Sequence, residues 1–203
     1  MLSENFSNYN FYLVSKSPRR HELLKGMGID FTYYPSDVEE SYPEGLTPVE
    51  VAEYLSRLKL SKIDFDKVAP NDIFIACDTI VVLGDKVIGK PKDKTEAIAM
   101  LTELSGKEHE VISGLTVATK SRMITANRRS IVKFADVLKD EIKYYVEKYK
   151  PLDKAGAYGV QEWFGYVCIE YIKGSFYNVM GLPTRLLWEM LDEIMQHSSS
   201  EKL

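Results

Sequence analysis

The sequence is poor in the residues that mark several protein classes. Two cysteines, Cys77 and Cys168, are too few among 203 residues for a disulfide framework. No run approaches the roughly 20 consecutive apolar residues needed to cross a bilayer. The first residues have neither the basic region nor the apolar segment of a signal peptide. We therefore expect a cytoplasmic protein without a membrane partner, in which both thiols are buried and reduced.

An excess of basic residues is also missing. Lysine and arginine number 26 and aspartate and glutamate 30, which gives a net charge of −4. This balance argues against nucleic acid as the main partner. Three widely separated histidines show no zinc-ligand spacing. We found no linker or repeat, so a single catalytic domain over 1–203 is expected, with flexible ends at about 1–9 and 196–203.

Strand and helix signals alternate along the chain. The strand-like segments are 10–14, 30–34, 73–83, 86–88, 111–118, 123–134 and 166–172. Helices are expected from Pro18 to Gly26 or Gly28, from Thr47 to about Lys62, after Asp93, over 142–149 and after Pro183. This order predicts an α/β fold with a mixed, twisted sheet and helices on its faces.

Residues 15–20 (SKSPRR) lie between a predicted strand and the start of a helix. Helix N-terminal N–H groups attract anions, and Ser15, Ser17, Arg19 and Arg20 add hydroxyl and guanidinium donors. Basic side chains in a first helical turn oppose the helix dipole, so a bound polyphosphate would give them a purpose. A solvated basic turn with a good N-cap is an equally weighted alternative.

Asp78 lies inside an apolar, β-branched run. A carboxylate there is costly unless it is paired or holds a cation, which suggests a site for Mg²⁺ or water. Acidic residues at Asp37, Glu39 and Glu40 could share the ion. The alternatives are an outward-pointing strand residue and a solvated acidic loop.

A glycine-containing segment resembles a known phosphate-binding loop. Residues 84–91 (GDKVIGKP) nearly match a P-loop, but Pro91 replaces the metal-binding hydroxyl and lacks an N–H group. We therefore reject a P-loop kinase, although Lys90 can still contact a phosphate.

In residues 151–161 (PLDKAGAYGVQ), small residues allow close approach of a ligand and Gln161 can hydrogen-bond to the edge of a base. A glycine-kinked strand start explains this segment equally well.

Six segments together are more specific than any one of them. In chain order they are 13–24 (LVSKSPRRHELL), 77–82 (CDTIVV), 89–91 (GKP), 104–106 (LSG), 151–161 (PLDKAGAYGVQ) and 178–183 (NVMGLP). This pattern strongly resembles the Maf family of nucleoside triphosphate pyrophosphatases over about residues 11–194. The resemblance implies two lobes around a deep cleft, a fold similar to that of inosine triphosphate pyrophosphatases, and hydrolysis of a nucleoside triphosphate to the monophosphate and pyrophosphate.

The resemblance also implies roles for individual residues. Asp78 would be the catalytic base and, with Glu40, would hold a divalent cation, Mg²⁺ or Mn²⁺. Lys59 and Lys90 would assist catalysis by stabilising negative charge. The substrate-binding residues would be Ser15, Ser17, Arg19, Arg20, Thr79 and Gln161, with Arg19, Thr79 and Gln161 setting substrate choice.

The residues at these selectivity positions resemble the dTTP/UTP branch of the family. Glu162 departs from the usual glycine after Gln161, and an acceptor there would favour a base with an exocyclic amine, such as cytosine. Lys16 and Cys77 also depart from the pattern. The alternatives are a pyrophosphatase that prefers CTP or 7-methyl-GTP and a non-catalytic nucleotide-binding regulator of septum formation or cell division. The sequence leaves a homodimer open.

Overall fold

The computed structural model describes residues 6–200, with side chains through Gln196. Of the predicted flexible ends, at about 1–9 and 196–203, residues 1–5 and 201–203 lie outside the described residues. Next to the first of them, the Phe6 ring packs edge-on against Phe11 and Trp188. Residues 196–200 continue the last helix.

The elements alternate as the sequence predicts. The strands are β1 (Asn10–Leu13), β2 (Phe31–Tyr33), β3 (Asp72–Leu83), β4 (Lys86–Ile88), β5 (Glu108–Ala118), β6 (Met123–Phe134) and β7 (Ile169–Lys173). The α-helices are α1 (Pro18–Gly26), α2 (Pro48–Leu58), α3 (Lys94–Leu104), α4 (Lys139–Tyr149), α5 (Trp163–Cys168), α6 (Phe176–Met180) and α7 (Thr184–Ser200). Short 3₁₀ turns lie at Phe65–Lys67 and Ala155–Ala157.

The seven strands form one mixed sheet in the order β2-β1-β3-β5-β6-β7, with β4 paired to β3. Strand β1 is parallel to both β2 and β3, whereas β4 is antiparallel to β3 and β7 to β6. The predicted α/β class with a mixed sheet and flanking helices is confirmed. The near-match to a P-loop contains β4, so the middle of this segment is a strand, as predicted.

The chain separates into two compact units. Unit 1 contains residues 1–78, 113–128 and 181–203, and unit 2 contains residues 79–112 and 129–180. In unit 1, Val14, Leu60 and Phe74 belong to a buried apolar cluster. In unit 2, Leu101 and Leu104 of α3 pack in a larger cluster. The two-lobed cleft that the resemblance implies stays a prediction.

The sequence-based assignment is wrong for part of the segment at 166–172. Trp163–Cys168 is a short helix, and the strand begins only at Ile169. The Glu162 carbonyl accepts hydrogen bonds from the N–H groups of Gly165 and Tyr166, which closes a helical turn. Tyr166 and Val167 favour strands mainly where their side chains are buried in a sheet, and here both are exposed.

Among the described helices, none is long and apolar enough to cross a membrane.

Candidate active site

The loop between β1 and α1 is built around Ser15. The Ser15 hydroxyl accepts hydrogen bonds from the Ser17 N–H group and the Arg20 Nη1, each at 3.2 Å. The Ser15 carbonyl lies 2.7 Å from the His21 Nε2, which must donate because a carbonyl can only accept. Arg20 also donates from Nε to the Gly181 carbonyl at 2.8 Å. The predicted phosphate-binding segment therefore has a defined conformation within unit 1.

Helix α1 begins as predicted, with Ser17 at the N-cap and Pro18 at the first helical position. The Ser17 side chain makes no capping hydrogen bond, however, and no acidic residue lies in the first turn. Arg19 is half-buried there. This end of α1 is thus positive in both its dipole and its side chains, which suits an anionic ligand.

Asp78, Lys59 and Glu40 form a charged cluster in unit 1. The Lys59 Nζ lies 3.0 Å from the Asp78 Oδ1 and also donates to the Glu40 Oε1. The side chains of Lys59 and Asp78 are 6% and 11% exposed, whereas that of Glu40 is 40% exposed. A buried ammonium between two carboxylates leaves a net charge of −1 on the cluster, which is the sign of charge that attracts a cation.

Helix α2 supplies the lysine. Thr47 and Glu50 form the predicted capping box, and Lys59 is the C-cap residue. The helix ends at Leu58, four residues before the predicted boundary at Lys62. The Lys59 carbonyl accepts a hydrogen bond from the Ser36 hydroxyl at 3.0 Å, which ties the acidic loop to this end of α2.

Asp78 and Glu40 are the carboxylates expected to hold a divalent cation. Asp78 and Glu40 provide carboxylate oxygens, the ligands that Mg²⁺ and Mn²⁺ prefer, and Mg²⁺ commonly takes one or two carboxylates plus substrate phosphates. No group of three or more metal-binding side chains occurs among the residues that the structure describes. The two carboxylates therefore fit a cation whose remaining ligands come from substrate and water.

Asp37, the other acid considered for this ion, is occupied elsewhere. Its carboxylate pairs with the Lys16 Nζ at 2.9 Å on the protein surface. The Lys16 hydrogen bond and charge lower the pKa of Asp37, and Asp37 in turn raises the pKa of Lys16. Asp37 thus lies in a solvated ion pair, and Glu40 is the acid from this loop that contacts Lys59.

The other predicted site residues belong to unit 2. Thr79 follows Asp78 along β3 and is half-buried, and Lys90 is exposed just after β4. Gln161 is half-buried, and its Oε1 is buried with no hydrogen-bond partner within the described part of the chain. A buried amide oxygen without a donor is unfavourable, so a ligand donor is expected there.

Glu162 is held by protein groups. Its Oε1 lies 3.2 Å from the Lys154 Nζ, and its Oε2 accepts a hydrogen bond from the Tyr145 hydroxyl. The Lys154 side chain is buried. Both carboxylate oxygens are therefore engaged, which argues against the expectation that Glu162 adds an acceptor for cytosine.

Sequence reasoning missed the contribution of three residues. The sequence pattern places His21 in residues 13–24 and excludes it as a zinc ligand, and it places Lys154 in residues 151–161 and Tyr145 in the predicted helix over 142–149. Patterning gives no signal for Tyr145, because a buried tyrosine in an apolar stripe usually belongs to the core. A lysine beside a run of small residues in 151–161 was the one available clue to Lys154.

Comparison with known proteins gives a consistent result. Residues 10–194 match the family model described as Maf-like protein. A dTTP/UTP pyrophosphatase of Bacteroides thetaiotaomicron is 44% identical over 191 residues, which cover 94% of this chain and 98% of that relative. A dTTP/UTP pyrophosphatase of Parabacteroides distasonis is 46% identical over 189 residues, which cover 93% of this chain and 97% of that relative.

A solved structure, a nucleoside-triphosphatase (dITP/XTP pyrophosphatase) from Mycobacterium abscessus, has a TM-score of 0.38 and 13% identity, covering 63% of this chain and 74% of that one. That likeness is too weak to bear on the fold or the site. The sequence relatives are far closer and span almost the whole chain. On the family model and on these relatives, the protein belongs to the Maf family.

Proposed function

We propose that the protein is a nucleoside triphosphate pyrophosphatase that hydrolyses dTTP and UTP to the monophosphate and pyrophosphate. The observation that carries the proposal is the Asp78–Lys59–Glu40 cluster, a strand carboxylate fixed by a buried lysine in a chain of this family. The substrates are those of the two relatives described above, dTTP/UTP pyrophosphatases with 44% and 46% identity.

In the proposed reaction, water attacks the α-phosphorus. The new bond joins the water oxygen to the α-phosphorus, the bond to the bridging oxygen breaks, and pyrophosphate leaves with the electron pair. Asp78 accepts the proton of the water, and the Lys59 ammonium at 3.0 Å keeps its carboxylate oriented. Arg19, Arg20 and Lys90 stabilise the negative charge that develops on the phosphate oxygens.

Asp78 and Glu40 would hold the divalent cation, Mg²⁺ or Mn²⁺. When bound, such an ion polarises phosphate oxygens and neutralises their charge. Lys59 contributes by balancing the two carboxylates so that they can lie close together in the absence of substrate. Ser15 and Ser17 would bind phosphate oxygens at the start of α1.

Base recognition is assigned to Gln161, with Thr79 and Arg19. The buried, unpartnered Gln161 Oε1 needs a donor. Uracil and thymine present N3–H, whereas cytosine presents an unprotonated N3 acceptor at the same position. A mismatch would leave a buried oxygen unpaired at a cost of roughly 1–3 kcal/mol, or about ten- to a hundredfold in kcat/KM.

The proposal is tested by measuring release of pyrophosphate, distinguished from free phosphate, from dTTP, UTP, CTP, GTP and 7-methyl-GTP. The assay is run with Mg²⁺, with Mn²⁺ and with a chelator. We expect metal-dependent pyrophosphate release with dTTP and UTP leading. A tenfold lead for CTP or a guanine nucleotide would overturn the substrate assignment. No release from any triphosphate would favour the non-catalytic regulator.

Three further predictions concern the type of substrate, the cellular location and the oligomeric state. We propose a small-molecule substrate rather than nucleic acid, which the net charge of −4 supports. A cytoplasmic location is supported by the two cysteines, Cys77 and Cys168, which are buried and not joined in a disulfide. A homodimer stays a prediction, to be checked by light scattering of the purified protein.

A further inference from the structure

The Tyr145 hydroxyl connects helix α4 to two points of one short segment. It accepts a hydrogen bond from the Gly159 N–H group at 2.9 Å and donates to the Glu162 Oε2. Tyr145 is fully buried. Burial, followed by the hydrogen bond to Glu162, raises the pKa of Tyr145, so the hydroxyl keeps its proton. It can therefore serve as acceptor and donor at once.

Gly159 and Glu162 are the two ends of a turn. The Glu162 N–H group donates to the Gly159 carbonyl at 3.1 Å, the bond between first and fourth residue that defines a β-turn. Val160 and Gln161 occupy the central positions. Tyr145 thus holds both ends of the turn that presents Gln161.

Glu162 is fixed from a second side. Lys154 lies 3.2 Å from its Oε1 and 2.7 Å from the Asp153 Oδ1. Gly159 packs so closely that a Cβ there would lie 2.7 Å from the Glu162 carboxyl carbon. The Glu162 carboxylate, the Tyr145 hydroxyl and the Lys154 ammonium therefore form one connected group that holds the turn.

We propose that Tyr145 and Glu162 are positioning residues for base selection, because together they fix the turn that aims Gln161 at the uracil or thymine ring. This inference rests on the proposed function. A single amide can discriminate N3–H from an unprotonated N3 only if its oxygen is held in place. Release of either end of the turn lets the amide rotate or shift, and discrimination falls before catalysis does.

The deciding experiment compares kcat/KM for UTP and CTP in the wild type and in Tyr145→Phe. We expect the UTP-to-CTP ratio to fall about tenfold. The matched control is Tyr149→Phe, which removes a hydroxyl from the same helix, on a ring stacked 5.1 Å from that of Tyr145. The control should keep the wild-type ratio.

Glu162 tests the same idea from the other end of the turn. Glu162→Ala removes the acceptor and should lower the ratio as Tyr145→Phe does. Glu162→Gln retains an oxygen that can accept from Tyr145, and we expect its ratio to stay within about threefold of wild type. This pair also keeps the proposal decidable if Tyr145→Phe fails to fold.

An unchanged ratio in both Tyr145→Phe and Glu162→Ala, including equal losses for UTP and CTP, would overturn the positioning role. Failure of the proposed function looks different, because the wild type itself would then release no pyrophosphate. If the wild type is active but prefers another base, the substrate assignment fails. The role of Tyr145 is then decided by the ratio of kcat/KM for the preferred nucleotide to kcat/KM for the next-best nucleotide.

Discussion

At the scale of single residues, Asp78 is distinguished by where its carboxylate lies. It is buried on a strand in which residues 73–77 and 80–83 are apolar, and its described partner is the ammonium of Lys59. Most buried carboxylates of this kind are either structural ion pairs or functional groups. A substitution that preserves shape but removes charge separates the two.

Asp78→Asn should lower kcat by about a hundredfold or more, since general-base contributions are typically 10²–10⁴. The fold should survive, because Lys59 keeps Glu40 as a partner. Steady-state pyrophosphate release checks the first expectation and thermal unfolding the second. Asp37→Asn is the control, since Asp37 lies in an exposed pair with Lys16, and it should leave kcat within about twofold. Near wild-type turnover in folded Asp78→Asn would remove Asp78 from the mechanism.

Arg20 combines two bonds that a lysine cannot make together. Its Nε and Nη1 reach the Gly181 carbonyl and the Ser15 hydroxyl. Arg20→Lys keeps the charge but not the planar fork, so we expect kcat/KM to fall about tenfold or more. Arg185→Lys, at an exposed helical pair with Glu189, is the comparison and should have no measurable effect. Equal kinetics for both variants would show that charge alone matters at Arg20.

At the scale of elements, α2 and β5 meet at a position where only glycine fits. A Cβ on Gly114 would lie 2.1 Å from the Ala52 carbonyl oxygen. Helix α2 cannot stay in place if that contact is filled. Because Lys59 caps the same helix, packing at Gly114 is linked to the geometry of the charged cluster.

Gly114→Ala should therefore lower the free energy of unfolding by about 1–3 kcal/mol, as overpacked sites do. It should also reduce kcat per folded molecule, because α2 carries Lys59. Urea unfolding and active-fraction kinetics measure the two effects. Gly26→Ala is a suitable control, since a Cβ at Gly26 meets no atom within 4 Å. Loss of stability without loss of kcat would mean that Lys59 tolerates a shift of α2.

Helices and strands were predicted correctly where residues close in sequence determine them, and were missed where tertiary packing determines them. Helix α3 was predicted to follow Asp93, and Asp93 is its N-cap residue, with a side chain that accepts a hydrogen bond from the Glu96 N–H group. Helix α5 was missed because Tyr166 and Val167 have strand propensity but are exposed, and exposure depends on packing that the local sequence does not show. The same holds for the site: residues 15–20 are contiguous, whereas no spacing rule joins Glu40, Lys59 and Asp78.

At the scale of the whole molecule, each compact unit contains one of the two tryptophans. Trp188 lies in unit 1 and Trp163 in unit 2. A Trp188→Phe protein therefore reports the unfolding of unit 2 by fluorescence, and a Trp163→Phe protein reports that of unit 1. Coincident unfolding transitions of the two proteins would show that the units unfold together in one cooperative step. Separate transitions would show that the units unfold independently.

Acid stability should depend on His109, which is buried in unit 2 with its Nε2 2.8 Å from the Tyr158 hydroxyl. Burial lowers the pKa of His109 from 6.5 to about 4. Between these values the unfolded chain binds a proton that the folded chain does not. The free energy of unfolding therefore falls as pH drops from 6.5 towards 4, by an amount on the order of 3 kcal/mol.

His109→Gln retains a partner for Tyr158 but cannot titrate, so its stability curve should be flatter than that of the wild type over this window. Urea unfolding at pH 7, 6, 5 and 4.5, followed by Trp163 in the Trp188→Phe background, measures the difference. Carboxylates contribute equally to both proteins and cancel in the comparison. Parallel curves would show that the His109 proton does not govern acid unfolding, and that the loss of stability at low pH comes from groups that both proteins share.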